Sequence, residues 1–197
     1  MKYILNPNIA LRSWRLVPCA YYIKHRRDAC GLSREEFDLL CRCDGLHELE
    51  ESALLRKYTD SGMVRPCAGG EKLGEWQKPR FCDNRYFPSM SWMLTGKCNY
   101  DCLHCFNAAD NAPLMSEFTL EEAERLIEEA EKCGINAITV TGGEPMLHKD
   151  FFDIIESIYA HGMYVRELNT NGFFLNESSL EKLKSIDGDI RIKISFD

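Results

Sequence analysis

The hydrophobic pattern changes period several times within the first 66 residues. Residues 3–23 are rich in Ile, Leu, Val and Tyr, are interrupted at Pro7 and Pro18, and read as extended segments. Ser33 stands three residues ahead of Glu36 and just before Phe37, Leu39 and Leu40, the arrangement of a capping box, so a helix is predicted to start there. Asp44-Gly45 reads as a turn. A second helix carries Leu49, Ala53, Leu54 and Tyr58, and Gly62 is placed to end it. Met63-Val64-Arg65 then returns as a short strand. The sum is a small α+β, winged-helix-like domain over residues 1–67.

Residues 68–88 lose periodicity. Gly69, Gly70, Gly74, Pro79 and Pro88 lie among charges and predict a linker, while Trp76, Phe81, Tyr86 and Phe87 suggest that it lies against a surface.

From Ser89 onward, strand and helix patterns alternate. Ser91-Trp92-Met93-Leu94-Thr95 is a short strand. Thr119 caps a helix with Glu122 at the third position, Phe118 and Ala123 take the staple positions, and Ala123, Leu126, Ile127 and Ala130 form its apolar stripe up to Gly134. The Glu-rich run from Glu121 to Glu131 reads as its solvated face. Ala137–Thr141 is β-branched and extended. Ile154, Ile155, Ile158 and Tyr159 mark the next helix, ended by Gly162. Tyr164–Leu168 is a third strand, Leu180, Leu183 and Ile186 a third helix, and Ile190–Phe196 a fourth strand. Repeated strand–helix–strand units require a parallel sheet with right-handed crossovers. The last strand ends at Asp197 with no helix after it, which would leave a bare parallel edge. The expectation is therefore the N-terminal portion of something longer; taken alone, these residues would give an incomplete barrel with little turnover.

Composition narrows the class. The 197 residues are 45% hydrophobic and 28% charged, with a formal net charge of −7, as in an ordinary globular chain. No apolar run approaches the ~20 residues of a membrane helix. The first 23 residues are broken by Asn6, Pro7, Arg12 and Arg15 and lack a signal-peptide core, so a cytoplasmic location with no membrane partner is expected. Residues 1–70 carry a net +2 and the rest −9, consistent with two domains of different duties. No basic stripe supports a nucleic-acid partner.

Ten cysteines are many for such a chain. Without an export signal they point to packing, metal or redox chemistry. Cys41, Cys43 and Cys133 fall on or at the ends of helical patterns and read as ordinary thiols. Cys98, Cys102 and Cys105 are different: they fall within eight residues, directly after the first strand of the alternating half. Buried thiols or a zinc site are the plain readings, but zinc wants four ligands in tetrahedral spread and His104, adjacent to Cys105, is poorly placed for that. Three thiolates can instead fill three corners of a four-iron cubane and leave one iron without a protein ligand. In α/β sheets ligands bind at the carboxyl ends of the strands. Four segments converge there: the cysteine loop, Gly142-Gly143-Glu144-Pro145, Asn169-Thr170-Asn171-Gly172 and Ser195-Phe196-Asp197. The glycines are expected to let a ligand approach the backbone.

The spacing Cys98-x3-Cys102-x2-Cys105 after one strand, with Gly142-Gly143-Glu144-Pro145 after the next, resembles the radical S-adenosylmethionine (SAM) superfamily over residues 89–197. The resemblance implies an α/β fold, the first four strands of a (β/α)6-type partial barrel. It also implies a four-iron four-sulfur cluster on Cys98, Cys102 and Cys105. SAM, bound to the open iron, would be cleaved reductively to methionine and a 5′-deoxyadenosyl radical that abstracts a substrate hydrogen. By the same resemblance His104 lies near the adenine and Phe106 follows it. Gly142, Gly143 and Glu144 receive the methionyl ammonium, and Asn169, Thr170 and Ser195 contact the carboxylate or ribose. The resemblance also assigns Asp197 to this constellation. A reductive electron donor such as a flavodoxin or ferredoxin is the implied partner.

The N-terminal unit resembles, more weakly, the peptide-recognition domain fused to radical enzymes that modify ribosomally made peptides. A leader peptide would then add to a strand edge of residues 1–67. Such fusions also carry a C-terminal domain for auxiliary clusters, which these residues do not include. Two other readings stand beside the peptide-modifying one: the same chemistry on a small metabolite or cofactor precursor, and, remotely, a winged-helix metal- or redox-sensing regulator.

Overall fold

The computed structural model describes residues 1–106 and 117–196. It forms two compact units, Met1–Pro88 with Lys132–Gly134, and Ser89–Glu131 with Ile135–Asp197.

The first unit runs β1 (Lys2–Leu5), β2 (Ile9–Trp14), β3 (Val17–Ile23), β4 (Cys30–Gly31), α1 (Arg34–Cys41), β5 (Asp44–Glu48), α2 (Ala53–Asp60), β6 (Val64–Pro66) and β7 (Arg80–Phe81). One antiparallel sheet has the order β5-β1-β6 and a second the order β4-β3-β2-β7, in which β7 runs parallel to β2. Helix α1 starts with the capping box its sequence specifies: the Ser33 hydroxyl accepts from the Glu36 N–H at 3.2 Å, and the Glu36 carboxylate accepts from the Ser33 N–H at 2.8 Å. Ser52 caps α2, and Gly62 follows its end at φ +73°. Leu5, Leu11, Phe37, Leu40, Leu55, Tyr58 and Val64 close the core between them.

One expectation changes in this unit. Asp44-Gly45 opens strand β5, although Asp44 still behaves as a turn residue, its carboxylate accepting from the N–H groups of Leu46 at 2.8 Å and His47 at 3.0 Å. Residues 76–78 of the segment read as a linker are bonded to the strands of this unit. The buried Arg12 of β2 donates to the carbonyls of Trp76 at 2.8 Å and Lys78 at 2.9 Å, with its guanidinium over the Trp76 ring. Gln77, also buried, donates to the carbonyls of Leu5 and Asn6, each at 3.1 Å. Backbone carbonyls taken from water must find donors, and the buried Arg12 and Gln77 supply them.

The second unit runs β8 (Ser89–Met93), α3 (Leu120–Lys132), β9 (Ala137–Thr141), α4 (Phe151–Ala160), β10 (Tyr164–Thr170), α5 (Glu177–Ile186) and β11 (Arg191–Ile194). All four strands are parallel and their spatial order, β8-β9-β10-β11, is their chain order. That order separates a barrel-type sheet from a doubly wound one, whose strand order reverses at a switch point. Ile138 and Val140 of β9, Val165 and Leu168 of β10, and Ile154, Ile155 and Ile158 of α4 are buried. Each such side chain contributes about 1.5–3 kcal/mol by leaving water. Met93 pairs with Thr141 and Thr170 with Ile194, so the register brings the carboxyl ends of neighbouring strands level.

Candidate functional site

Thr95, Gly96 and Lys97 carry the chain from β8 into the cysteine loop, and they lie directly under Gly142 and Gly143. The Gly143 N–H donates to the Thr95 carbonyl at 2.8 Å, and the Glu144 N–H donates to the Lys97 carbonyl at 2.8 Å. A Cβ on Gly142 would stand 2.5 Å from the Thr95 carbonyl oxygen, and one on Gly143 would stand 2.2 Å from that of Lys97. The glycines therefore serve a role the sequence did not reveal: they let two loops of the protein touch.

That contact fixes Glu144, whose relative exposure is 0%. Its carboxylate accepts from the Thr170 hydroxyl at 2.8 and 2.9 Å, from the Asn171 N–H at 2.7 Å and from the Met146 N–H at 3.0 Å. Every one of these donors is neutral, and among the described residues no cation reaches the carboxylate. A buried carboxylate without a counter-charge is costly to hold, and an incoming ammonium would relieve that cost.

The cysteine loop is tied at both feet. The Lys97 ammonium and the Thr95 hydroxyl both donate to the Glu117 carboxylate, at 2.5 and 2.9 Å, and the Lys97 bond above all holds the Glu117 carboxyl below its usual range. His148, buried behind the loop, bonds the Phe118 carbonyl through Nε2 at 2.8 Å. Thr119 and Glu122 form the expected reciprocal cap at the start of α3. Cys98, Cys102 and Cys105 are all half-buried, and the Cys105 N–H donates to the Cys102 carbonyl at 3.0 Å. Among the described residues, no three His, Cys, Asp or Glu side chains are grouped as they would be around one metal ion. A cluster distributes its ligands over several irons.

The expected site residues do not all stand alike. Gly142, Gly143, Glu144 and Thr170 form one connected group with the entry to the cysteine loop. Asn169 has its Oδ1 buried without a hydrogen-bond partner, an acceptor waiting for a donor. Ser195 follows β11, its N–H bonded to the Thr170 carbonyl at 2.9 Å and its side chain exposed. His104 is exposed, and Phe106 is wholly so at 100%. Asp197 lies outside the described residues. Asn171, which lay in the converging segment without being singled out, joins this group: it bonds both Glu144 and, through its side chain, Cys98.

The fold and the site define a parallel barrel-type unit with a thiol-rich loop after its first strand. The radical SAM superfamily profile matches residues 92–197. The chain belongs to the radical SAM superfamily, a superfamily of enzymes. An AdoMet-dependent heme synthase of Methanosarcina barkeri (strain Fusaro / DSM 804) is 34% identical over 55% of this chain and 30% of its own length. The mycofactocin maturase MftC of Mycobacterium ulcerans (strain Agy99) is 28% identical over 55% of this chain and 28% of its own. The chain thus spans under a third of these two curated relatives. In fold it resembles Streptococcus suis SuiB bound to S-adenosylmethionine, with TM-score 0.62 and 13% identity over 99% of this chain and 48% of SuiB. SuiB bound to its precursor peptide SuiA aligns with TM-score 0.61, over the same shares of both chains.

Membership implies a four-iron cluster and SAM, and the residues fit both. Three thiols share one loop, a buried carboxylate beside it lacks a cation, and an orphaned acceptor lies on the adjoining strand. No helix among the described residues is long and apolar enough to cross a membrane.

Proposed function

We propose that Cys98, Cys102 and Cys105 hold a four-iron cluster, that SAM binds across the carboxyl ends of β8 to β11, and that the substrate is a ribosomally made peptide or a protein. When bound, the cluster and SAM supply one-electron reductive cleavage of a carbon–sulfur bond and hydrogen abstraction from the substrate. Glu144 receives the methionyl ammonium as a charge-assisted pair. Thr170 orients that carboxylate, and Gly142 and Gly143 keep it in register with the cysteine loop. Asn169 offers its free oxygen to a ligand donor, while His104, Phe106 and Ser195 rim the same end of the sheet. A small reductase of the flavodoxin or ferredoxin type supplies the electron, in a cytoplasmic setting.

The buried, cation-free Glu144 beside the cysteine loop carries the chemical reading. Anaerobic reconstitution with iron and sulfide tests it: the chain should take up iron and bind SAM. The Cys98→Ala, Cys102→Ala, Cys105→Ala triple variant should lose the cluster, and a triple variant that still takes it up refutes the assignment.

The peptide reading is supported by the extent of the fold likeness, since 99% of this chain aligns with SuiB, the N-terminal unit included. Strand β4 is the end strand of its sheet, and a cavity of about 360 Å³ beside it is lined by Tyr21, Gly31, Leu32, Lys57 and Tyr58. An extended peptide can add to such an edge and seat side chains in such a cavity. Hydrogen exchange on the full chain, titrated with synthetic peptides encoded by short genes beside its own, should protect β3, β4 and α2. The heme synthase likeness favours the second reading, a small-metabolite substrate, and exchange unchanged by every peptide would move the assignment to it.

A further inference from the structure

Asn171 bonds both Glu144 and the cysteine loop. Its N–H donates to Glu144 Oε2 at 2.7 Å. Its side-chain orientation is fixed by its neighbours. Oδ1 accepts from the Phe173 N–H at 2.9 Å, so that end of the amide must be the oxygen. Nδ2 therefore faces the loop, where it donates to Asn99 Oδ1 at 2.8 Å and to Cys98 Sγ at 3.8 Å, within reach for a sulfur acceptor. The Tyr100 N–H donates to the same sulfur at 3.4 Å. Cys98 thus receives a side-chain donor from a strand end 73 residues away as well as one from its own loop.

Hydrogen bonds to cysteinyl sulfur stabilise the more negative, reduced state of an iron–sulfur cluster and raise its potential. We propose that Asn171 is a positioning residue that tunes the cluster through Cys98 Sγ and couples that tuning to the Glu144 end of the SAM site. This rests on the cluster assignment above. The bond to Glu144 comes from the backbone and survives side-chain substitution, whereas the bond to sulfur does not, so the two roles can be separated.

The test is a spectroelectrochemical titration of the reconstituted full chain, with and without SAM, for wild type, Asn171→Ala and Asn171→Asp. Asn171→Asp keeps an oxygen for the Phe173 N–H and so preserves the local turn, but it replaces the donor to sulfur by a charged acceptor. Iron per chain should match wild type in both variants. The midpoint should fall in Asn171→Ala by about tenfold in the reduction equilibrium, about 59 mV for one electron, and further in Asn171→Asp. A merely structural residue would lower iron content and leave the potential of the loaded fraction unchanged; that outcome overturns the proposal. So does an unchanged midpoint at equal loading, while the cluster assignment stands. A wild-type chain that takes up no cluster removes both.

Discussion

Replacing Gly143 by alanine tests whether the glycine pair serves the protein or its ligand. The new Cβ would lie 2.2 Å from the Lys97 carbonyl oxygen, 2.6 Å from the Lys97 carbonyl carbon and 2.7 Å from the Gly96 oxygen. All three atoms are backbone, so no side chain can swing away. Ordinary contact requires the 96–97 segment to retreat by roughly 1 Å, against a packed interior that yields little. That retreat stretches two 2.8 Å hydrogen bonds, from the Gly143 N–H to Thr95 and from the Glu144 N–H to Lys97. Overpacking costs about 1–3 kcal/mol, and the two bonds add about 1 kcal/mol each, so the variant should lose about 3–5 kcal/mol. Urea titration followed by hydrogen exchange in β9 and β10 reads that loss. Gly188→Ala is the control, since a Cβ there meets nothing within 4 Å. Were Gly143→Ala to fall within about 0.5 kcal/mol of wild type, the scale of a neutral surface change, the loop-contact role would be refuted and the ligand-clearance role restored.

Thr170→Val keeps the shape but removes the hydroxyl that donates to Glu144 and accepts from the Gly172 N–H. A loss of about 1–3 kcal/mol is expected from a buried carboxylate left short of a donor, with weaker SAM retention in equilibrium dialysis; Thr170→Ser should restore both, and failure to do so would count against the hydroxyl. In the first unit, the Lys57 ammonium above all, with the Ser33 N–H, holds the Glu36 carboxyl down to about 2 from an ordinary 4.5. Because the folded value is depressed, its stabilisation is present above pH 4.5 and disappears as the pH falls through about 2. Circular dichroism in acid should therefore show a shallower pH dependence for Glu36→Gln in that window, and identical slopes would contradict it. Burial pushes the Cys41 thiol up to about 11 and the Cys43 thiol up to about 12. Iodoacetamide at pH 8, read by mass spectrometry, should label the exposed Cys30 well before either, and equal rates would mean the helix end is open.

Much of the second unit was legible because its signals are local. The Thr119–Glu122 cap, the β-branched run of β9 and the helix-ending Gly162 each act within a few residues, and β9 occupies the five residues read as a strand. The first unit was legible where the same held, at the Ser33 cap and at the helix-ending Gly62. It failed where a partner lay far off. Strands β4 and β7 are two residues each, and segment 76–78 is held by Arg12 and by bonds to Leu5 and Asn6 about 70 residues away. No periodicity encodes such bonds, and glycine and proline in the segment argued for a linker on sound local grounds.

The site divides along the same line. The thiol spacing and Gly142-Gly143-Glu144 carried the reading, since each is a contiguous motif after a strand. Asn171 lay in a converging segment, but nothing local singled it out. Along an extended strand, alternate residues face opposite sides, so Thr170 and Asn171 should not serve one carboxylate. Strand β10 ends at Thr170, however, and the chain turns at Gly172, where φ is +82°. The turn lets the Thr170 side chain and the Asn171 backbone N–H converge on Glu144, and it leaves the Asn171 amide free to reach across to Cys98. A period-two reading of Asn169-Thr170-Asn171 treats as alternatives two groups that the end of the strand makes partners.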